Sequence, residues 1–91
     1  MIDVKTAVRN AMKYLQEFEE FVPAGDVRLE ETEYDDKGNW LITLSALDDP
    51  NRYSGLLGAL AAGKRSYKLF RIDALTGEVK SMKVRTLQPV E

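Results

Sequence analysis

Apolar residues at Val4, Val8, Ala11, Leu15, Phe18 and Val22 follow one another at steps of 4, 3, 4, 3 and 4, with Ala7 and Tyr14 widening the stripe and charges on the opposite side. That period predicts an amphipathic helix over residues 4–21. Asp3 is the expected N-cap, and Pro23 with Gly25 the stop. From residue 27 the period falls to two. Val27 to Tyr34 and Asn39 to Leu47 read as strands joined by Asp35-Asp36-Lys37-Gly38, whose short polar side chains and glycine suit a tight hairpin turn. Trp40, Ile42 and Leu44 alternate with Leu41, Thr43 and Ser45, so the Trp40 face is assigned to the core, against the helix.

A second hairpin is expected from Ser66 to Asp73, the turn Ala74-Leu75-Thr76-Gly77, and Glu78 to Thr86. Phe70 and Ile72 share one face, which Met82 and Val84 oppose. Tyr67, Leu69, Arg71, Ser81, Lys83 and Arg85 fall on the other, so one side of the sheet is apolar and the other basic. The fold class that follows is α+β: a single domain over residues 1–91, with an N-terminal helix packed on a four-stranded antiparallel sheet in the order α-β-β-(short α or loop)-β-β.

Composition narrows the chemistry. With 91 residues, 44% apolar and 31% charged, the chain supports one core and no second domain. It contains neither cysteine nor histidine, which removes disulfides, thiolate nucleophiles, His-based catalytic arrangements and the usual zinc sites together. No catalytic residue, metal or cofactor is expected. No basic start followed by an apolar run is present, and no window is apolar enough for a membrane span, so a cytoplasmic protein is expected.

Charge is unevenly distributed. Residues 1–50 carry 5 Lys/Arg and 12 Asp/Glu, net −7, while residues 51–91 carry 8 and 3, net +5. Two readings follow: long-range attraction to a partner or a second copy, or pairing of the two halves across one folded surface.

The stretch Gly58 to Ser66, "GALAAGKRS", lies one residue from the phosphate-loop pattern G-x-x-x-x-G-K-[ST]. A phosphate loop needs a strand before it, a helix starting at its lysine and a Ser or Thr after that lysine. Here a polar turn precedes, a strand follows and the magnesium position is Arg65. Ser54 is instead placed to cap a short helix through Gly55 to Ala62, with Gly63 ending it and Lys64-Arg65 at its negative end. Leu56, Leu57 and Leu60 make this insert apolar, so it is either extra core over one end of the sheet or a contact with a partner or a second copy. Asp35-Asp36-Lys37-Gly38-Asn39 resembles a calcium loop in its first positions only. Position 12 counted from Asp35 is Ala46, where a bidentate glutamate belongs, so a turn is the better reading.

The element order, with "NWLITLSA" and "YKLFRIDALTGEVKSMKVR", resembles PepSY-like domains. The best-matched positions are Asp73, Thr76, Gly77, Glu78 and Val79, in a D-x-x-T-G-E-V turn. Trp40 and Tyr67 to Ile72 match in character. The resemblance implies an antiparallel sheet curled against one helix, cystatin-like in general shape, and a non-enzymatic role in binding or restraining other proteins, peptidases among them.

The expected function is therefore protein or peptide binding, inhibitory or regulatory in kind, without catalysis. Tyr67, Arg71, Lys83 and Arg85 on the polar sheet face and Leu56, Leu57 and Leu60 in the insert are the candidate interaction residues, with a homodimer as one outcome. A small-ligand pocket between helix and sheet, lined by Trp40, Phe18 and Tyr14, is the alternative. Weak single-stranded nucleic-acid binding on the basic face is a third reading, disfavoured by the single aromatic there and the net charge of −2.

Overall fold

In the computed structural model, which describes residues 1–18, 25–47 and 65–85, the order is α1 (Val4–Glu17), β1 (Gly25–Tyr34), β2 (Asn39–Leu47), β3 (Arg65–Asp73) and β4 (Val79–Arg85). The strands form one antiparallel meander, β1-β2-β3-β4, with α1 on one face. This is the α+β arrangement the sequence predicts. Of the apolar insert expected at 48–65, residues 48–64, with Leu56, Leu57 and Leu60 and the expected short helix, lie outside the described residues, as do the connection at 19–24 and residues 86–91.

Asp3 caps α1 as expected: its carboxylate accepts the Thr6 N–H at 2.8 Å. The described helix closes at Glu17, where the Phe18 N–H bonds back to the Leu15 carbonyl at 3.1 Å, a tightened last turn. The centre of its buried face is Ala7, Ala11 and Leu15, while Val4, Val8, Met12 and Tyr14 flank it. Small residues sit at the centre because the sheet beneath is bulky. Ile42, Leu44, Phe70 and Ile72 are fully buried, and two alanines let the helix axis approach them closely. Each such large side chain contributes about 1.5–3 kcal/mol by leaving water.

The registers bear out the expected faces. Trp40 pairs with Ile72 and Ile42 with Phe70 across β2 and β3, and Phe70 with Met82 across β3 and β4. Val84 departs from expectation: it opposes Lys68 on the helix side of the sheet and is 75% exposed. At that end the neighbouring position is a lysine, so no apolar partner from β3 encloses it.

Both hairpin turns use one device. Asp35 accepts the N–H groups of Lys37 and Asn39 at 2.9 Å each, and Gly38 takes φ +84°. Asp73 accepts the N–H groups of Leu75 at 2.8 Å and Thr76 at 3.1 Å, and Gly77 takes φ +79°. These are the local bonds that favour aspartate in turns. The turns are also tied together. The Ala74 N–H donates to the Gly38 carbonyl at 3.0 Å, and the Ile2 N–H to the Ala74 carbonyl at 2.7 Å. The Trp40 indole donates to the Ile2 carbonyl at 3.1 Å, and Asn10 to the Gly77 carbonyl at 2.9 Å. Helix start, chain start and both turns thus form one cross-linked end.

Candidate functional site

Strand alternation and register place twelve residues of the outer sheet face in three rungs. Arg28, Ser45, Tyr67 and Arg85 form the first. Glu31, Thr43, Leu69 and Lys83 form the second, and Glu33, Leu41, Arg71 and Ser81 the third. The four predicted residues Tyr67, Arg71, Lys83 and Arg85 therefore lie on one face, as neighbours on β3 and β4. Leu56, Leu57 and Leu60 lie outside the described residues. A column of acid on β1 and a cluster of cations on β3 and β4 flank hydroxyls and leucines.

The cations divide into two kinds. Arg85 reaches over β3, donating from Nη1 to the Thr43 hydroxyl at 2.7 Å and to Glu31 at 2.9 Å. Arg65 opens β3. Its Nε donates to the Ser45 hydroxyl at 2.9 Å, its Nη2 to the Asp26 carbonyl at 2.7 Å, and its Nη1 pairs with the Asp26 carboxylate at 3.4 Å. Asp26 itself sits at φ +29° in a bulged start of β1 and also pairs with Arg28 at 3.0 Å. These bonds explain why Thr43 and Ser45, on a face expected to be exposed, are 2% and 1% exposed: long guanidinium side chains lie over them and satisfy their hydroxyls. The polarised charge of the sequence is thus in part internal pairing between β1 and the later strands.

Arg71 and Lys83 differ. Both are exposed, and among the described residues neither has a carboxylate within ion-pair distance. Leu41 and Leu69, half-buried, lie beside them in the rungs. The result is an apolar strip with two free positive charges on its β3–β4 side.

At the turn end of the same face, a bulge in β4 re-aims Lys80. Its Nζ donates to Asn39 Oδ1 at 2.8 Å and lies 3.6 Å from Asp73. Asn39, 4% exposed, donates in turn to Asp35 at 3.1 Å. Burial pushes the Asp35 carboxyl up, but the Asn39 side chain and the Asn39 and Lys37 backbone N–H groups together hold it below its usual range, with a smaller contribution from the Arg71 charge. Asp73 is lowered chiefly by the N–H groups of Thr76 and Leu75. The carboxylate oxygens of Asp35, the calcium-like position, are thus engaged by the turn itself. Among the described residues no group of three or more His, Cys, Asp or Glu is placed to hold a metal, and no helix is long and apolar enough to cross a membrane.

Among the described residues, open grooves lie on both sides of α1. One, of about 300 Å³, is lined by Asn10, Lys13, Tyr14, Glu17, Glu78 and Val79. The other, of about 400 Å³, lies between α1 and β1 and is lined by Val4, Lys5, Val8, Arg9, Leu29 and Thr32. Of the three residues expected around a pocket, Tyr14 lines the first groove. Trp40 packs edge-on against Tyr34 with ring centroids 5.2 Å apart, and Phe18 packs on Tyr14 at 4.9 Å; they line neither groove. The sequence pattern did not single out Arg65, Asn39 or Lys80. Arg65 takes its role from Ser45 and Asp26, 20 and 39 positions away, and the Lys80–Asn39 bond joins residues 41 apart, beyond the reach of a local signal.

No family model, curated protein or solved structure matches this chain. The functional reading rests on the geometry of this face.

Proposed function

We propose that this chain is a non-catalytic binding module that takes an acidic protein or peptide segment on the outer face of its sheet. The observation that carries the reading is the division among the cations. Arg65 and Arg85 are committed to Asp26, Glu31 and buried hydroxyls, whereas Arg71 and Lys83 stand exposed beside Leu41 and Leu69. Internal pairing accounts for the first two and leaves the second two for a ligand. An extended segment that carries acidic and apolar side chains at every second position, hence on one face, matches this strip, with its carboxylates on Arg71 and Lys83 and its apolar groups on the leucines. Membership of the PepSY-like domains, with their restraining role toward other proteins, belongs to the same proposal. It is supported by the helix-then-strands order and the Asp73–Val79 turn. So does a cytoplasmic location, in which acidic segments of other proteins are abundant.

The test is a fluorescence-anisotropy titration with labelled eight-residue peptides that repeat Glu-Ser-Leu-Ser (the Glu-Leu peptide) or Lys-Ser-Leu-Ser, so that both side-chain types fall on one face when extended, and with oligo-dT of matched charge. The proposal predicts saturable binding of the Glu-Leu peptide only, weakened about tenfold or more in an Arg71→Glu/Lys83→Glu variant that melts at the wild-type temperature. Equal binding of that variant, or preference for the oligonucleotide, would overturn it.

A further inference from the structure

Among the described residues α1 packs chiefly on β2, β3 and β4, and the inner face of β1 lies beyond its edge. There Val4 and Val8 of α1 face Leu29 and Thr32 of β1 across the groove of about 400 Å³, with Lys5 and Arg9 among its lining residues. Leu29 is 45% exposed, an apolar side chain with water on one side. Lys5 and Arg9 stand one helical turn apart, a like-charge spacing that is unfavourable unless an anion joins them. Among the described residues neither has a carboxylate within ion-pair distance. Asp3, the nearest acid on the helix, is occupied in capping Thr6. The groove also flanks the first turns of α1, whose backbone adds positive potential.

An apolar floor with a cationic rim selects a ligand that is greasy along most of its length and anionic at one end. The volume lies at the lower end of small-molecule sites, roughly 300–1,000 Å³. It is suited to a single alkyl chain rather than to a partner helix about 10 Å across. We propose that the groove between α1 and β1 binds a medium-chain fatty acid, its chain on Val4, Val8, Leu29 and Thr32 and its carboxylate between Lys5 and Arg9. This site is separate from the outer sheet face and does not depend on the function proposed for that face.

The test uses sodium decanoate below its micelle concentration, titrated into methyl-labelled protein and followed by NMR. Saturable shifts confined to the methyl groups of Val4, Val8, Leu29 and Thr32 are expected. Decyltrimethylammonium should bind about tenfold or more weakly. Lys5→Glu/Arg9→Glu should lose binding to a similar degree, and Leu29→Asp should abolish it. These positions are exposed, so both variants should keep the wild-type melting temperature; the outer-face variant Arg71→Glu/Lys83→Glu should bind decanoate normally. Absent or non-saturating shifts, equal binding of the cationic analogue, or unchanged affinity in the charge-reversed variant would overturn the proposal. So would methyl shifts that depend on protein concentration alone, which would mean that a second copy fills the groove.

Discussion

Replacing Arg85 by Met keeps the aliphatic stem over the sheet and removes the guanidinium that joins three strands. In the wild type, Nη1 donates to the Thr43 hydroxyl at 2.7 Å and to Glu31 at 2.9 Å. The two bonds differ in worth. Glu31 is about half exposed, so its ion pair contributes roughly 0–1 kcal/mol. Thr43 is 2% exposed, and stranding its hydroxyl carries a desolvation penalty of about 1–3 kcal/mol. The hydroxyl therefore dominates, and Arg85→Met should cost about 2 kcal/mol. For a domain of this size that lowers the melting temperature by roughly 8–16 °C. Urea unfolding at pH 7 should show a lower midpoint with an unchanged slope. The decisive variant is Arg85→Met/Thr43→Val. Removing both partners leaves no orphaned group, so the double variant should recover most of the loss, while Glu31→Gln alone should cost under about 1 kcal/mol. If Thr43→Val fails to rescue, or if Glu31→Gln costs as much as Arg85→Met, the hydroxyl is not what the arginine stabilises.

Other perturbations separate the remaining parts of the account. Gly77→Ala should destabilise more than Gly38→Ala by urea midpoint. Both glycines have positive φ, costing alanine about 1–2 kcal/mol, but a Cβ at Gly77 would meet Asn10 Nδ2 at 2.9 Å, whereas none of the surroundings of Gly38 lies within 4 Å. Ala11→Leu should cost about 1–3 kcal/mol, because the helix lies close over Ile42 and Phe70 with no room for three more carbons; an unchanged midpoint would mean that the helix is not seated on those residues. Asp35 and Asp73 are held below their usual pKa by hydrogen bonds, so the unfolded chain binds their protons more readily. Their stabilisation is complete above the ordinary aspartate range, about pH 3.9, and is lost as pH falls through their lowered values. Thermal melts from pH 7 to 2 should therefore fall less steeply for Asp35→Asn/Asp73→Asn than for wild type.

The elements were legible because each carries a local signature. The 3.6-residue stripe gave α1, period-two alternation gave the faces of β2 and β3, and an aspartate with a following glycine gave both turns. What the pattern could not show was lateral position. Ala7, which reads as the margin of the stripe, is at its centre because the large side chains come from the sheet. The helix's placement over β2–β4, which opens the groove beside Leu29, leaves no trace in periodicity. Thr43 and Ser45 read as surface hydroxyls and are buried, since what covers and satisfies them comes from Arg85 and Arg65 on later strands. The same bonds decide between the two readings of the charge asymmetry for those arginines, in favour of internal pairing. Tyr67, Arg71, Lys83 and Arg85 were brought to one face by alternation alone, yet only the structure divides them into tied and free.

That division is what the functional account stands on, and an amide chemical-shift footprint of the Glu-Leu peptide tests it most directly. Shifts should concentrate on Leu41, Leu69, Arg71, Ser81 and Lys83, leave α1 unmoved and vanish in Arg71→Glu/Lys83→Glu. A footprint centred on α1, or one that persists in that variant, would contradict the assignment of recognition to the outer face.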